Sequence, residues 1–116
     1  MDIKPLILII EDDKPIARFL EISMETQGYR YISTKFGKEG IALAYSHNPD
    51  MIILDLGLPD IDGLEVIEKI KEIEHYKNRI EKHKIRISIE TSVLVRVDSV
   101  YLFYLGVCVV VVWQGL

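Results

Sequence analysis

One cysteine, Cys108, occurs in 116 residues. An internal disulfide and a cysteine-built zinc site are therefore excluded. Basic residues are not in excess. The net charge of −4 argues against a chain whose main partner is a nucleic-acid backbone. No basic stretch opens the chain, and its first apolar run, residues 6–10, is too short for a signal peptide. Internal repeats are lacking, and the valine run at 109–112 is the one low-complexity piece. Charge itself is missing from Ser99 onward, and no lysine follows Lys84. What is present is 49% hydrophobic and 28% charged, a globular balance and not a disordered one. The length suits about one domain with one core. The composition nevertheless breaks in two. Residues 1–72 carry a net charge of −6, and residues 73–116 a net charge of +2.

The first part alternates two kinds of pattern. Residues 6–10 are a continuous apolar run that stops at Glu11-Asp12-Asp13. Such a run predicts a strand buried on both faces, as in parallel sheets. Asp13 can cap the helix that follows, with Pro15 in its first turn. Ile16, Phe19, Leu20 and Met24 recur at helical spacing and predict its buried stripe. Gly28 suits the left-handed position after the helix. Residues 29–33 read as a strand. Residues 37–47 read as a second amphipathic helix carrying Ile41, Ala44 and Tyr45, with Asn48-Pro49 as its stop. Residues 51–54 are a second all-apolar strand, and it too ends on a carboxylate, Asp55. A loop with Gly57, Pro59, Asp60 and Gly63 leads to a third helix. Its apolar residues are Leu64, Ile67, Ile70 and Ile73, and it can extend through Ile80. The order β-α-β-α-β-α implies parallel strands with helical crossovers, and ligands at the C-terminal strand ends.

The acidic residues lie at those ends. Carboxylates from two neighbouring strands would converge, and each raises the cost of ionising the others. Mg²⁺, which takes a few carboxylates and keeps its waters, relieves that repulsion. A carboxylate beside such an ion can act as a nucleophile toward a phosphoryl group. The alternative is that the acids are solvated strand ends and caps, with Asp13 doing nothing more than capping.

Two segments carry a resemblance to a known family: Leu8-Ile9-Ile10-Glu11-Asp12-Asp13, and Ile52-Ile53-Leu54-Asp55-Leu56-Gly57-Leu58-Pro59-Asp60-Ile61-Asp62-Gly63. Together they resemble the receiver domain of two-component response regulators, of the OmpR type and its KdpE-like group. The resemblance spans roughly residues 4–72. It implies a flavodoxin-like (CheY-like) α/β fold, a parallel sheet with flanking helices. It implies Asp55 as phosphoacceptor, supplied by the phosphohistidine of a sensor histidine kinase. It implies Mg²⁺ as cofactor, held by Glu11, Asp12, Asp55 and the backbone carbonyl of Gly57, with Asp12 a more direct ligand than Glu11. Pro59 and Gly63 match the loop into the third helix.

The second part departs from that family. A fourth strand ending in Thr or Ser is expected, with its switch hydroxyl near residues 82–84, where Lys82, His83 and Lys84 stand. Thr91 and Ser92 are candidates only if the strand is displaced by about eight residues. The switch lysine is expected near residue 105, where Leu105-Gly106 stands, so none is found. Nor does room remain for a fifth helix or a winged-helix domain in the sequence as given. Residues 85–97 alternate apolar and polar, which suits a half-exposed strand that could close the open sheet edge. Residues 99–116 are uncharged and could instead form a membrane anchor behind Arg96. A frameshifted or rearranged coding sequence is the third origin left open. His47, His75 and His83 have no metal-ligand spacing with the cysteine. Tyr101, Phe103, Tyr104, Cys108 and Trp113 read as packing residues.

The sequence reading is thus a βαβαβα receiver portion over residues 1–73 and a divergent tail over 74–116, possible strands of the same sheet. The expected role is a phosphoacceptor module of a bacterial two-component system, cytoplasmic, not a metabolic enzyme, binding no nucleic acid directly, with a membrane disfavoured apart from the tail-anchor option over 99–116. A homodimer is allowed. The alternative is a truncated or rearranged receiver that lacks the switch lysine and only binds partners. A Mg²⁺-dependent phosphatase fits less well, because Glu11-Asp12-Asp13 lacks an Asp-x-Asp arrangement.

Overall fold

The computed structural model describes residues 4–55 and 57–74 in full, and the backbone alone of two further strands over 85–97 and 100–114. The elements follow the alternation expected up to Glu72. They are β1 (Leu6–Ile10), α1 (Lys14–Thr26), β2 (Arg30–Thr34), α2 (Gly37–His47), β3 (Met51–Asp55) and α3 (Gly63–Glu72). The last two are β4 (Ile85–Val97) and β5 (Val100–Gln114).

Each βα boundary has a local cause. Asp13 sits in extended backbone and accepts from the Ile16 amide at 3.1 Å, which caps α1. Gly28 takes φ +76° just past the end of α1, a conformation that side chains disfavour. Asn48 ends α2 in the left-handed region, φ 45°. Asp62 caps α3 by accepting from the Leu64 amide at 3.0 Å. Helix α3 stops at Glu72, where Ile73 turns extended, and the expected continuation through Ile80 falls outside the described residues. Residues 75–84, with His75 and His83, lie outside the described residues.

The sheet order is β2-β1-β3-β5-β4. β1 pairs in parallel with both β2 and β3, so it is fully flanked. Side chains then alternate between two cores, because successive strand residues point to opposite faces. Leu8, Ile10, Ile52 and Leu54 pack with Ala44 of α2 and with Val66, Ile67 and Ile70 of α3. Ile7, Ile9, Met51 and Ile53 pack with Leu20 and Met24 of α1 on the other face. With both faces covered, an unbroken apolar strand is the stable solution. Asp50 adds a tie at the start of the sheet: its Oδ2 accepts from the Leu6 amide at 2.8 Å.

Phe19, expected in the buried stripe of α1, points outward, and so do two other large apolar residues of the helices. Phe19, Tyr45 and Leu64 are 47%, 71% and 52% exposed. Helical spacing places them at the margins of their apolar stripes. The small residues Ala17 and Gly40 take inward places instead, and in α3 Val66 does.

Beyond β3 the sheet changes direction. β5 pairs antiparallel with β3, from Met51 opposite Trp113 to Asp55 opposite Val109. β4 pairs antiparallel with β5 and forms the outer edge, with a register irregularity between Glu90 and Ser92. The strand that covers the open edge of β3 is therefore residues 100–114 and not 85–97. The physical reason is the strand faces. A strand between two others loses its exposed row of amides and carbonyls, which suits the continuous apolar run 107–113. The alternating segment fits the edge. Residues 100–114 form a strand and not a membrane-spanning helix, and no helix among the described residues is long and apolar enough to cross a membrane.

Candidate functional site

Parallel pairing of β1 with β3 brings the acids together. Ile10 stands opposite Leu54, so the next step of the register sets Glu11 beside Asp55. Ligand atoms of Glu11, Asp12 and Asp55 all lie within 4.8 Å of one another. Glu11 and Asp55 are buried, and Asp12 is half-buried. Asp13 stays apart from this trio and caps α1.

Backbone amides fix the frame. The Glu11 amide donates to the Thr34 carbonyl at 3.0 Å, which anchors the end of β1 to the end of β2. The Gly57 amide donates to Asp55 Oδ1 at 3.0 Å, which sets the rotation of that carboxylate. An added Cβ at Gly57 would sit 3.7 Å from the same oxygen, so this backbone lies directly over Asp55.

The electrostatics are those of crowded carboxylates in a half-dry place. Glu11 is pushed up to about 8, first by burial, then by the charge of Asp55, a shared hydrogen bond with it, and the charge of Asp12. The Asp13 amide offsets only part of this. Glu11 Oε1 is buried with no hydrogen-bond partner. A buried acceptor left unpaired is costly and calls for an ion or a proton. The donor set is all oxygen, which suits a hard divalent cation such as Mg²⁺. Residue chemistry and geometry thus fit that group.

Beside the acids opens a cleft of about 370 Å³ between α1 and the end of β2. Lys14, Arg18 and Lys35 line it together with Glu11, Asp12 and Thr34. An anionic ligand meeting the carboxylates from that side would face three cations.

The candidate switch residues stand elsewhere. Thr91 and Ser92 belong to β4, and β5 lies between β4 and β3. Their backbone is thus two strand spacings from β3, roughly 10 Å. Residue 105, where a lysine was expected, is Leu105 on β5, opposite Ser92.

One loop residue has a partner that the sequence pattern does not reveal. Asp60 of the β3–α3 loop accepts from the Gly37 amide at 2.8 Å with Oδ1 and from the Lys38 amide at 2.9 Å with Oδ2. Helix α2 has Phe36 at its N-cap position and no side-chain cap of its own. The missing cap at Phe36 was the available signal, since an uncapped helix start needs partners from elsewhere. The Lys38 amide foremost, with that of Gly37, holds the Asp60 carboxyl below the usual carboxylate range.

Comparison with known proteins agrees with this geometry. Residues 7–88 match the response regulator receiver domain family, and the chain belongs to it. Among curated relatives, the transcriptional regulatory protein AfsQ1 of Streptomyces coelicolor is 41% identical over 70 residues, 60% of this chain and 31% of that protein. The response regulator ArlR of Staphylococcus aureus is 46% identical over 66 residues, 57% of this chain and 30% of that protein. The chain therefore spans about three-tenths of the length of these relatives, which are consistent with an OmpR-type receiver. Among solved structures, the non-phosphorylated HemR receiver domain of Leptospira biflexa superposes with a TM-score of 0.58 at 35% identity, covering 62% of this chain and 58% of that one. The N-terminal domain of a response regulator receiver protein from Methanoculleus marisnigri gives 0.59 at 28% identity, covering 64% and 60%. Receiver domains are the signalling modules of two-component systems, and this chain carries the fold of one in its three parallel strands and flanking helices.

Proposed function

We propose that the domain accepts a phosphoryl group on Asp55 from the phosphohistidine of a sensor histidine kinase, with Mg²⁺ held by Glu11, Asp12, Asp55 and the Gly57 carbonyl. The observation that carries this reading is the convergence of three carboxylates around a buried, unpartnered oxygen of Glu11.

The chain's own residues do the following. The Gly57 amide holds Asp55 Oδ1 and so fixes the carboxylate plane. An Asp55 oxygen attacks phosphorus, the bond from phosphorus to the histidine nitrogen breaks, and an acyl phosphate forms with the imidazole as leaving group. Glu11 and Asp12 would hold the cation as carboxylates, so binding there would displace the Glu11 proton. Held by these residues, Mg²⁺ would offset negative charge on the phosphoryl oxygens. Asp13 has a capping role only. Thr91 and Ser92 are not assigned to the phosphoryl group, because β5 separates their strand from β3.

The test is intact mass after incubation with Mg²⁺ and a small acyl phosphate. One added phosphoryl group, lost in Asp55→Asn and absent without Mg²⁺, is the expected result. No adduct, or an adduct that persists in Asp55→Asn, overturns the reading.

A further inference from the structure

The β3–α3 loop is tied to α2 by more than one device. Asp60 forks its two oxygens onto the first two amides of α2, at 2.8 and 2.9 Å. The first of those residues, Gly37, has no room for a side chain. An added Cβ would lie 2.7 Å from Ile61 Cγ1, 2.8 Å from Val66 Cγ2 and 3.1 Å from Leu58 Cδ1. So the loop residues on both sides of Asp60 press against the same helix start. Three residues earlier in the loop is Gly57, whose amide holds Asp55.

The short link between Gly57 and Asp60 is stiff. Pro59 has a locked φ, and a residue before proline, here Leu58, is held to extended backbone. A displacement of Asp60 therefore reaches Gly57 with little loss. Helix α2 is itself packed on β1 through the core that contains Leu8, Ile10 and Ala44, so the anchor point is rigid.

We propose that Asp60 is a positioning residue for the Asp55 pocket: by clamping the β3–α3 loop to the N-terminus of α2, it holds Gly57 over Asp55 and so sets the affinity for Mg²⁺. This rests on the reading of Asp55 and Gly57 given above. Asp60 touches neither the phosphoryl group nor the ion. Its effect runs through the loop, as outer partners act on metal sites elsewhere.

A bland role as a helix cap makes a different forecast, and Phe36 separates the two. Phe36→Ser supplies α2 with a local cap but no tether to the loop. Asp50 serves as the control, since it also ties a distant amide, that of Leu6, but at the opposite end of the strands. The experiment titrates the full chain with Mg²⁺ alone by calorimetry and records thermal unfolding of each variant. Asp60→Ala should weaken Mg²⁺ binding about tenfold and speed hydrogen exchange of the Gly57 amide. Asp60→Ala with Phe36→Ser should regain thermal stability while Mg²⁺ binding stays weak. Asp50→Ala should lose stability yet bind Mg²⁺ within about twofold of the parent, as a distant site should. Recovery of Mg²⁺ affinity in the double variant overturns the proposal, and so does an Asp60→Ala affinity equal to that of Asp50→Ala. A parent chain that binds no Mg²⁺ overturns the metal reading itself, and this inference with it.

Discussion

Residues 6–72 and residues 85–114 contribute to one sheet by opposite rules. In the first region every strand is followed by a helix, the pairing is parallel, and both faces of β1 and β3 are covered. In the second region two long strands follow one another and the pairing is antiparallel. Parallel neighbours need a crossover of a dozen residues or more, whereas a hairpin needs a turn of a few. The link from Val97 to Val100 allows only the hairpin. The chemistry follows the division. All three converging carboxylates belong to the first region, and the second contributes to it the backbone that pairs with Asp55.

The comparison can be broken at the seam. Leu54→Ala empties a fully buried place in β3 and should cost roughly 3–4 kcal/mol in denaturant unfolding. Val111→Pro, opposite Ile53 on β5, removes a ladder hydrogen bond from an inner strand and should cost about 3 kcal/mol. A cost near zero for Val111→Pro, with cooperative unfolding intact, would show that the second region adds nothing to the stability of the first.

The next effect is a pH dependence that belongs to the first region alone. Folded protein keeps a proton on Glu11 up to about pH 8, whereas the unfolded chain releases it near its ordinary value of 4.5. The folded state thus binds more protons between those values, and stability falls as pH rises through that window. The loss should be roughly 2–3 kcal/mol without metal, well below the full shift because the pocket is only partly dry. Saturating Mg²⁺ should remove most of the slope, and Glu11→Gln should remove it without metal. Thermal unfolding across pH 4–9, with and without Mg²⁺, reads both. A slope that survives in Glu11→Gln assigns it to another group.

The smallest effects sharpen the division between capping acids and pocket acids. Asp13→Ala should cost about 1 kcal/mol through loss of the α1 cap and leave phosphoryl transfer unchanged. Tyr45→Ser should fall within about 0.5 kcal/mol, since this residue is mostly exposed. A large cost at Tyr45 would mean that α2 has a partner on that face.

Several of these features were legible in the residues alone. Continuous apolar runs ending in acids marked β1 and β3 to within a residue. Asp13, Gly28 and Asn48 marked the helix ends, because caps and left-handed stops are local chemistry. The outward turn of Phe19, Tyr45 and Leu64 was not legible. A spacing of three or four admits a residue to a stripe, but which edge of the stripe meets the sheet depends on the packing angle of the helix. For the same reason Asp60 passed as a loop acid. Its partners, Gly37 and Lys38, are more than twenty residues away in sequence and adjacent only in the fold.

By itself the sequence determined the βα periodicity, the acids at the strand ends and the family to which the chain belongs, since each is written in neighbouring residues. Tertiary structure alone decided that Glu11 meets Asp55, that residues 100–114 cover β3 with 85–97 outside them, and that Asp60 caps a helix other than its own. Those outcomes depend on which strands pair and in which direction. That choice is made by the burial of whole faces and by the backbone groups each edge must satisfy, and no short stretch of residues contains it.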